Sequence, residues 1–542
     1  MTMQIGTKQD GSPLAINADD LTTHGVILGR TGSGKTGATV TAIEEAALSG
    51  ASVIVLDPKG DLTNLALAFP SLRASDFAPW IEPGQDADAI ASRARSELGS
   101  LAGNVAKWSD KAEVTIYAPG KTHGGGRPVN VLSSLGAPVD QTNEQILRDH
   151  ASSLVASILS AIGHNGDPMT DPANVFLTDV VLDTWKARRS SSLEMWAEVL
   201  NSPPDKFQTI DGIRLEDFFP RRKRMNIARA IVGFRRQAAK WLDGDPLNID
   251  NYIGVNKSKV SVFTMRHLNE DERQFFAAML LSAVVDYMFR APASNKLKLL
   301  VVLDEARGYL PPYPKNPPTK RPVCTLLAQG RAQGIGMLIG TQNPNDLDYK
   351  ALTNVGTWWL GNLRARDCAR DLKKELADRN VDQSTLSSIP QRHFLVLKKD
   401  GEHAVTKIRW AYSFLRGPLN SDELDRLGGP SVKFEVGSTR SDGDVSLTFS
   451  VSGHTPGEVN IYPQFSINGG QTWAWCALSG HFQSYAYDRG GRVHHVTWHS
   501  EKDLGRRRVA VLLRLVVAGK PGGSDVPVLV NNEPKSLLSR LF

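Results

Sequence analysis

The stretch from Val26 to Gly37, VILGRTGSGKTG, constrains the fold more than any other part of the chain. It fits the pattern G-x-x-x-x-G-K-[ST], with an apolar strand before it and a helix predicted after it through Ala47. Glycines permit the tight turn in which backbone N–H groups close on phosphate oxygens, and the helix points its positive end at the same anion. The alternative, a chance Gly-rich turn, does not explain the lysine and threonine in register. The predicted phosphate-binding loop consists of Gly29, Arg30, Thr31, Gly32, Ser33, Gly34, Lys35 and Thr36.

The two halves of a nucleotide site lie far apart in this sequence. Lys35 can reach the β and γ phosphates, and the Thr36 hydroxyl can ligate Mg²⁺. The apolar run from Lys298 ends in Asp304 and Glu305, which suits a central parallel strand whose carboxyl end faces a ligand. A buried strand that merely ends in an acidic turn is the alternative. Paired with the loop, the run instead predicts that Asp304 holds Mg²⁺ through water and that Glu305 polarises the attacking water, so the chain is predicted to be an ATPase using ATP and Mg²⁺.

Two further stretches narrow the class of ATPase. The second predicted strand, Ser52–Asp57, ends in the charged turn Asp57-Pro-Lys-Gly-Asp61. The stretch that starts at Leu326 predicts a helix carrying Arg331, a turn, and a strand ending in Thr341-Gln342. This order of acidic strand end, arginine-bearing helix and amide-ended strand resembles the HerA/FtsK superfamily of motor ATPases over roughly residues 22–420. The Asp57–Asp61 turn is similar to that of the HerA branch.

The resemblance implies a RecA-like α/β core and a ring, expected to be a hexamer, that translocates on or unwinds DNA. It implies that Gln342 senses the γ-phosphate and that Asp61 lies near the attacking water. Arg331, or else Arg364 or Arg366, is implied to complete the site of a neighbouring subunit. A nuclease or defence protein is the partner that the resemblance suggests.

The amino terminus departs from the family pattern. HerA-type proteins usually open with a small β-barrel, whereas the 23 residues Met1–Thr23 are too few for one. Gln4–Thr7 and Leu14–Ile16 predict a short hairpin leading to the first strand. The docking of a nuclease on such a barrel is therefore not expected here.

A predicted helical insertion, about residues 143–255, carries the densest positive charge of the chain. The basic cluster consists of Arg221, Arg222, Lys223, Arg224, Arg229, Arg235, Arg236 and Lys240. The net charge is only +6, so any contact with DNA phosphates would depend on local charge. A solvated helix face and a nucleic-acid contact are both consistent with the cluster.

The sequence pattern changes near Gly428 from alternating predicted strands and helices to short predicted strands alone. Short alternating runs separated by turn residues, among them Gly457–Tyr462 and Gln464–Ile467, predict an all-β sandwich over residues 429–542, after an ATPase domain over residues 1–428. The run Asn468-Gly-Gly-Gln-Thr-Trp473, followed by Trp498, resembles immunoglobulin-like or fibronectin-like modules. Both tryptophans are predicted to pack in the sandwich, and the module is expected to bind or to space rather than to catalyse.

The sequence favours a cytoplasmic address without a membrane segment. Its three cysteines lack metal-type spacing, and Met1–Asp20 contains no apolar core of signal-peptide type. Phe275–Val285 is the longest apolar helix candidate, and it is too short to span a bilayer, so it is predicted to be a core helix packed on the sheet.

Two classes of function remain open from the sequence. The first is an ATP-driven motor, a translocase or helicase acting on double-stranded DNA with a nuclease or defence partner. The second is a nucleotide-regulated scaffold that controls assembly of an effector, with the sandwich as its docking module. A conjugation-type coupling ATPase is a third and weaker option.

Overall fold

The computed structural model describes most of the chain in two compact units. The first unit comprises Met1–Thr122 and Pro128–Leu419, and the second comprises His123–Arg127 and Asn420–Phe542. The described residues are 2–121, 125–136, 144–164, 166–242, 244–363, 370–378, 381–382, 384–428, 431–439, 444–452, 457–470, 472–479, 484–487, 492–517 and 520–532.

The first part of unit one contains the strand and helix that flank the predicted phosphate loop. Its strands are β1 (Thr2–Lys8), β2 (Pro13–Asn17), β3 (Gly25–Leu28), β4 (Ser52–Asp57) and β5 (Ala112–Tyr117). Its helices are α1 (Lys35–Leu48), α2 (Ala74–Phe77), α3 (Ala87–Leu98) and α4 (Gly103–Lys111). The pair β1–β2 is antiparallel, as expected for the predicted hairpin.

A mainly helical segment separates β5 from the next strand of the sheet. Its helices are α5 (Glu144–Ala161), α6 (Pro172–Lys186), α7 (Leu193–Asn201), α8 (Leu215–Phe218) and α9 (Arg221–Gln237). Its short strands are β6 (Val129–Asn130), β7 (Thr209–Ile210), β8 (Ile213–Arg214) and β9 (Asp245–Pro246).

The rest of unit one returns to the sheet. Its strands are β10 (Ser258–Thr264), β11 (Ser294–Leu303), β12 (Gln333–Thr341), β13 (Thr357–Leu360), β14 (His393–Leu397) and β15 (His403–Ile408). Its helices are α10 (Glu270–Arg290), α11 (Lys320–Gln329), α12 (Arg370–Asp378) and α13 (Ser384–Ser388). Among the described residues, no helix combines the length and apolar character needed to cross a bilayer. The central residues of α10, Phe275–Leu281, are instead buried in the core, as predicted.

The sheet of unit one runs in the order β2-β1-β15-β14-β13-β3-β12-β11-β4-β10-β5. The strands from β13 to β5 pair in parallel, while β14, β15, β1 and β2 form an antiparallel edge. The strand before the phosphate loop, β3, is separated from the strand before the two carboxylates, β11, by β12. Because all three are parallel, the loop, the carboxylates and Gln342 emerge at one edge, as the mixed α/β P-loop fold predicted from the sequence requires.

A buried ionic network holds helix α1 against the antiparallel edge. The Arg409 guanidinium donates to Glu44 and Glu45, 2.9 Å from each carboxylate. Glu44 also accepts from the Tyr412 and Ser413 backbone N–H groups at 3.0 and 2.8 Å. Since these bonds pair carboxylates that burial would otherwise penalise, they fix the helix that carries the loop lysine.

Unit two contains two antiparallel sheets. Its elements are α14 (Ser421–Gly428), β16 (Ser431–Thr439), β17 (Asp444–Ser452), β18 (Gly457–Ser466), β19 (Ala474–Trp475), β20 (Ser484–Tyr487), β21 (Arg492–His499), α15 (Ser500–Leu504), β22 (Arg508–Val517) and β23 (Lys520–Asn531). One sheet is β16-β17-β21, and the other is β19-β18-β22-β23 with β20 also paired to β18. Leu447 and Trp498 of the first sheet share a buried cluster with Phe465 and Leu513 of the second, so the sheets pack face to face.

One strand boundary in this unit differs from the sequence prediction. The runs Gly457–Tyr462 and Gln464–Ile467 were expected to be separate, but β18 continues through Pro463 to Ser466. The Pro463 carbonyl accepts from the Cys476 N–H at 3.1 Å, so the missing N–H of the proline faces the short partner β19 and not β22. A proline is tolerated in a strand when its N–H side is not needed by the ladder.

Candidate nucleotide-binding site

The predicted phosphate loop connects β3 to α1 in a tight turn. Gly32 and Gly34 have φ angles of 82° and 95°, in the left-handed region that favours glycine. A Cβ placed on Gly34 would lie 3.1 Å from the Arg392 Cα, whereas one on Gly32 would meet nothing within 4 Å. The loop is therefore open at Gly32 and packed against protein at Gly34.

Lys35 begins α1 and lies beside both carboxylates at the end of β11. Its amino group is 3.4 Å from Glu305 Oε2 and 3.9 Å from Asp304 Oδ1, and the residue is buried. Residues 270 positions apart in sequence thus meet at one edge of the sheet. The geometry brings together the two halves of the site that the sequence analysis paired.

Glu305 is held by several donors in a conformation unusual for its type. Its φ is 65°, and its Oε2 accepts from Lys59 at 2.6 Å and from the Gln342 amide at 2.9 Å. The Gln342 Oε1 in turn accepts from the Thr31 hydroxyl at 2.8 Å. A left-handed glutamate persists only where its surroundings fix it, and such strain clusters at functional sites.

The charges of the site set opposite protonation tendencies on its carboxyl groups. Burial raises the pKa of Asp304. Burial also raises the pKa of Asp57 to about 7, with the nearby Asp304 carboxylate adding to the effect. Burial alone would raise the pKa of Glu305, but the Lys35 and Lys59 cations outweigh it and lower that pKa. Glu305 is therefore the carboxyl group of the three whose ionised form its surroundings favour.

The turn after β4 is built around Asp57. Its two carboxylate oxygens accept from the N–H groups of Gly60 and Leu62 at 2.8 and 2.9 Å. The turn presents Lys59 to Glu305, while Asp61 opens the short helical turn that follows. The predicted position of Asp61 near an attacking water stays a prediction.

The residues present fit a Mg²⁺-bound nucleotide. Within the described part of the chain, Asp304 Oδ1 and Ser33 Oγ are buried without a hydrogen-bond partner. A buried carboxylate oxygen beside a lysine suits a hydrated hard cation, and hydroxyl and N–H groups of the loop suit phosphate oxygens. Thr36, one residue beyond Lys35, is the residue that could supply the hydroxyl ligand.

Two residues at the site were missed by the sequence analysis. One is Lys59, for which the sequence indicates only a place in the charged turn Asp57–Asp61. The other is Arg392, at φ 62°, whose N–H donates to the Ser33 carbonyl at 2.9 Å and whose guanidinium lies 4.7 Å from the Trp410 ring centroid. No motif marks Arg392, because it reaches the loop only through the antiparallel return of β14.

The candidate arginines fall outside this cluster. Arg331 was predicted on a helix, but it lies in the 3-10 turn Gly330–Ala332 that follows α11, because Gly330 ends the α-helix. It is exposed and precedes β12, whereas Gln342 follows that strand, so about 30 Å separates the two ends. Among the described residues, no carboxylate forms an ion pair with Arg331. Arg364 and Arg366 lie outside the described residues.

The comparison with protein families supports the predicted resemblance. Residues 3–109, which include the phosphate loop and the turn after β4, match the family described as helicase HerA, central domain. The match confirms the resemblance of this core to the HerA/FtsK superfamily. The immunoglobulin-like resemblance of unit two stays a prediction. No curated protein sequence matches the chain.

Several solved structures are similar to this one at low sequence identity. VirB4 of Thermoanaerobacter pseudethanolicus is 15% identical, with a TM-score of 0.44 over 76% of this chain and 96% of that one. The plasmid coupling protein TrwB in complex with ADP and Mg²⁺ is 14% identical, with a TM-score of 0.47 over 77% and 92%. The genome packaging NTPase B204 of Sulfolobus turreted icosahedral virus 2 is 19% identical, with a TM-score of 0.21 over 30% and 78%. At these TM-scores, the likenesses carry no argument about function.

Proposed function

We propose that this chain, whose residues 3–109 match the central domain of HerA helicases, binds ATP with Mg²⁺ and uses its hydrolysis to move along double-stranded DNA. The observation that carries the proposal is the meeting of Lys35, Asp304, Glu305 and Gln342 at the mouth of the phosphate loop. A motor of this class needs all four, because phosphate binding, metal binding, water activation and sensing of hydrolysis are separate tasks.

In this proposal, Lys35 changes partner when nucleotide binds. Its amino group lies between the Glu305 and Asp304 carboxylates, and phosphate oxygens offer it a stronger negative charge. The loop N–H groups would hold the rest of the polyphosphate, and the Thr36 hydroxyl and Asp304 would hold Mg²⁺, Asp304 through water. Mg²⁺ supplies charge neutralisation of the β and γ phosphates.

Glu305 then serves as the group that accepts hydrogen bonds from the attacking water. Lys59 helps to lower the pKa of Glu305, and Gln342 fixes the orientation of the carboxylate through an amide whose oxygen accepts from Thr31 of the loop. Because Gln342 touches both the catalytic carboxylate and the phosphate loop, it can report loss of the γ-phosphate to β12. Strand β12 directly follows the turn that carries Arg331 and ends one residue before Gln342. It therefore connects the nucleotide site to the surface at Arg331.

Arg331 acts in this account on a neighbouring subunit. It lies at the amino end of β12, beyond reach of its own loop, next to an open groove of about 1470 Å³ whose lining includes Val255, Tyr287 and Lys296. A head-to-tail ring places one face of a subunit against the opposite face of the next, so an arginine at this edge would meet the neighbour's loop. The expected assembly is a hexamer, and a nuclease or defence partner remains a prediction from the family resemblance.

A pH experiment tests the role of Lys59. Replacing Lys59 by Met removes a cation that lowers the pKa of Glu305, so that pKa rises and the carboxylate is protonated at a higher pH. The acid limb of the kcat/KM profile is expected to move to higher pH, with the plateau near the wild-type value. Lys398→Met, which removes a lysine paired with Glu402, is the control and should leave the profile unchanged. An unshifted acid limb in Lys59→Met would remove Lys59 from this role.

The experiment that tests the proposed function is displacement of a third strand from a DNA triplex. An enzyme that moves along duplex DNA strips the third strand, whereas a scaffold ATPase leaves it in place. The choice between motor and scaffold therefore rests on movement rather than on hydrolysis alone.

A further inference from the structure

Helix α9 concentrates positive charge without any acidic residue. Its sequence from Arg221 to Gln237 reads RRKRMNIARAIVGFRRQ. Ile227, Ala228 and Ile231 are buried, and Arg222, Arg229 and Arg236 are exposed on the opposite side. These three arginines, called here the arginine ladder, are spaced by seven residues, so they lie on one face with a drift of about 20° per step.

Two cations of the helix form ion pairs with carboxylates of the protein, and the three arginines of the ladder do not. Arg224 is buried and donates to Glu216 at 3.2 Å, and Arg235 lies 2.8 Å from Glu194. Within the described residues, no carboxylate is paired with Arg222, Arg229 or Arg236. Charge pairing within the protein thus accounts for Arg224 and Arg235 and leaves the ladder to face solvent.

Helix stability does not explain the placement either. The first turn contains Arg221, Arg222 and Lys223 and no acidic residue. Cations at a helix amino terminus oppose the positive end of the helix dipole and so destabilise the helix. The Glu216 carboxylate accepts from the Arg221 N–H at 2.9 Å and offsets part of this effect, but within the described residues it forms no ion pair with Arg222.

We propose that the arginine ladder binds the phosphate backbone of double-stranded DNA, as a contact separate from the nucleotide site. The proposal names the partner surface of the proposed motor and rests on that function only in its choice of DNA. Three positions seven residues apart extend over about 21 Å, the axial length of about six base pairs. Arginine suits such a surface because its planar group bonds phosphate oxygens in pairs and stays charged at every physiological pH. The contact is with the backbone, so it carries no sequence preference.

The test measures the salt dependence of binding by the full chain. The variant Arg222→Gln/Arg229→Gln/Arg236→Gln and the wild type are titrated with a fluorescent 30-base-pair duplex of arbitrary sequence at several salt concentrations. The slope of log K against log salt is negative, and each lost phosphate contact reduces its magnitude by about 0.9, so the magnitude is expected to fall by about 3. ATPase without DNA should match the wild type, because among the described residues none of the three arginines forms an ion pair or a hydrogen bond with a residue of the nucleotide site; Arg229 donates to Asn226 of its own helix.

A matched control removes three cations that already have partners on the same insertion. In Arg148→Gln/Lys186→Gln/Lys206→Gln, each lost cation is paired with a carboxylate, Asp179, Glu144 and Asp183 respectively. The net charge falls by the same amount, and the slope should stay at the wild-type value. An equal decrease in the control would show that only net charge matters, and an unchanged slope in the ladder variant would assign the helix to another partner such as an acidic protein. Either result overturns the proposal.

The outcomes for the ladder and for the motor are distinguishable. A smaller salt slope in the ladder variant, together with no displacement of a third strand by the wild type, would exclude the motor and support DNA binding by the ladder. Displacement by the wild type with an unchanged slope in the ladder variant would support the motor and exclude DNA binding by the ladder. Thermal unfolding of both triple variants checks that neither result comes from loss of fold.

Discussion

Glu305→Gln is expected to bind ATP at least as tightly as the wild type and to hydrolyse it about 10²–10⁴ times more slowly. Glutamine keeps the size of the side chain but cannot accept a proton from water. It also removes a negative charge 3.4 Å from the Lys35 amino group, which frees that lysine for phosphate. Calorimetric titration measures the binding, and single-turnover hydrolysis measures the chemical step.

The control for this variant is Glu402→Gln, a carboxylate held by Lys8 and Lys398 away from the loop. It should bind and hydrolyse as the wild type does. Hydrolysis at the wild-type rate by Glu305→Gln would remove Glu305 from the base role, and Asp61 would become the next candidate.

Lys35→Ala and Arg331→Ala are expected to be inactive separately and partly active when mixed. Lys35→Ala loses nucleotide binding, and Arg331→Ala loses the charge that stabilises the transferred phosphoryl group, an effect of about 10³–10⁵ in rate. In a randomly mixed ring, about a quarter of the interfaces pair an intact loop with an intact arginine from the neighbour. ATPase of the mixture, measured after subunit exchange is verified by labelling, should therefore recover well above either variant.

The mixture also has a control and an excluding result. Lys35→Ala mixed with Glu305→Gln should not recover, because Lys35 and Glu305 of one site belong to the same subunit. Every site in the mixed ring therefore carries one of the two changes. Failure of the Lys35→Ala and Arg331→Ala mixture despite exchange would exclude Arg331. Arg364 and Arg366 would then be tested in the same way.

The parts of the site that follow a strand could be predicted from the sequence. The loop from Gly29 to Thr36, the pair Asp304 and Glu305, and Gln342 each come at the carboxyl end of an apolar run. Parallel strands bring such ends to one edge, so the sequence alone predicts that they meet. The order of the strands could not be predicted in this way, since nothing local indicates that β12 inserts between β3 and β11.

The missed residues depend on contacts between distant segments. The sequence marks Lys59 only as a lysine in a turn. Its contact with Glu305 depends on the hydrogen bonds by which the Asp57 carboxylate holds the turn. Arg392 contacts Ser33 only because β14 runs antiparallel to its neighbours and starts at the edge where β3 ends. Arg331 lies outside α11 for a more local reason, since that helix ends at Gln329 with Gly330 as its cap and Arg331 falls in the 3-10 turn that follows.

The central claim is that hydrolysis at this loop drives movement along duplex DNA, and triplex displacement tests it most directly. A fluorescent third strand is bound at one end of a linear duplex, and its release is followed with ATP and Mg²⁺. The wild type is expected to release the third strand after a lag that increases with the length of duplex between the entry end and the triplex. Glu305→Gln is expected to release none. If the wild type hydrolyses ATP but leaves the third strand in place at every duplex length and at low salt, hydrolysis does not drive movement along duplex DNA.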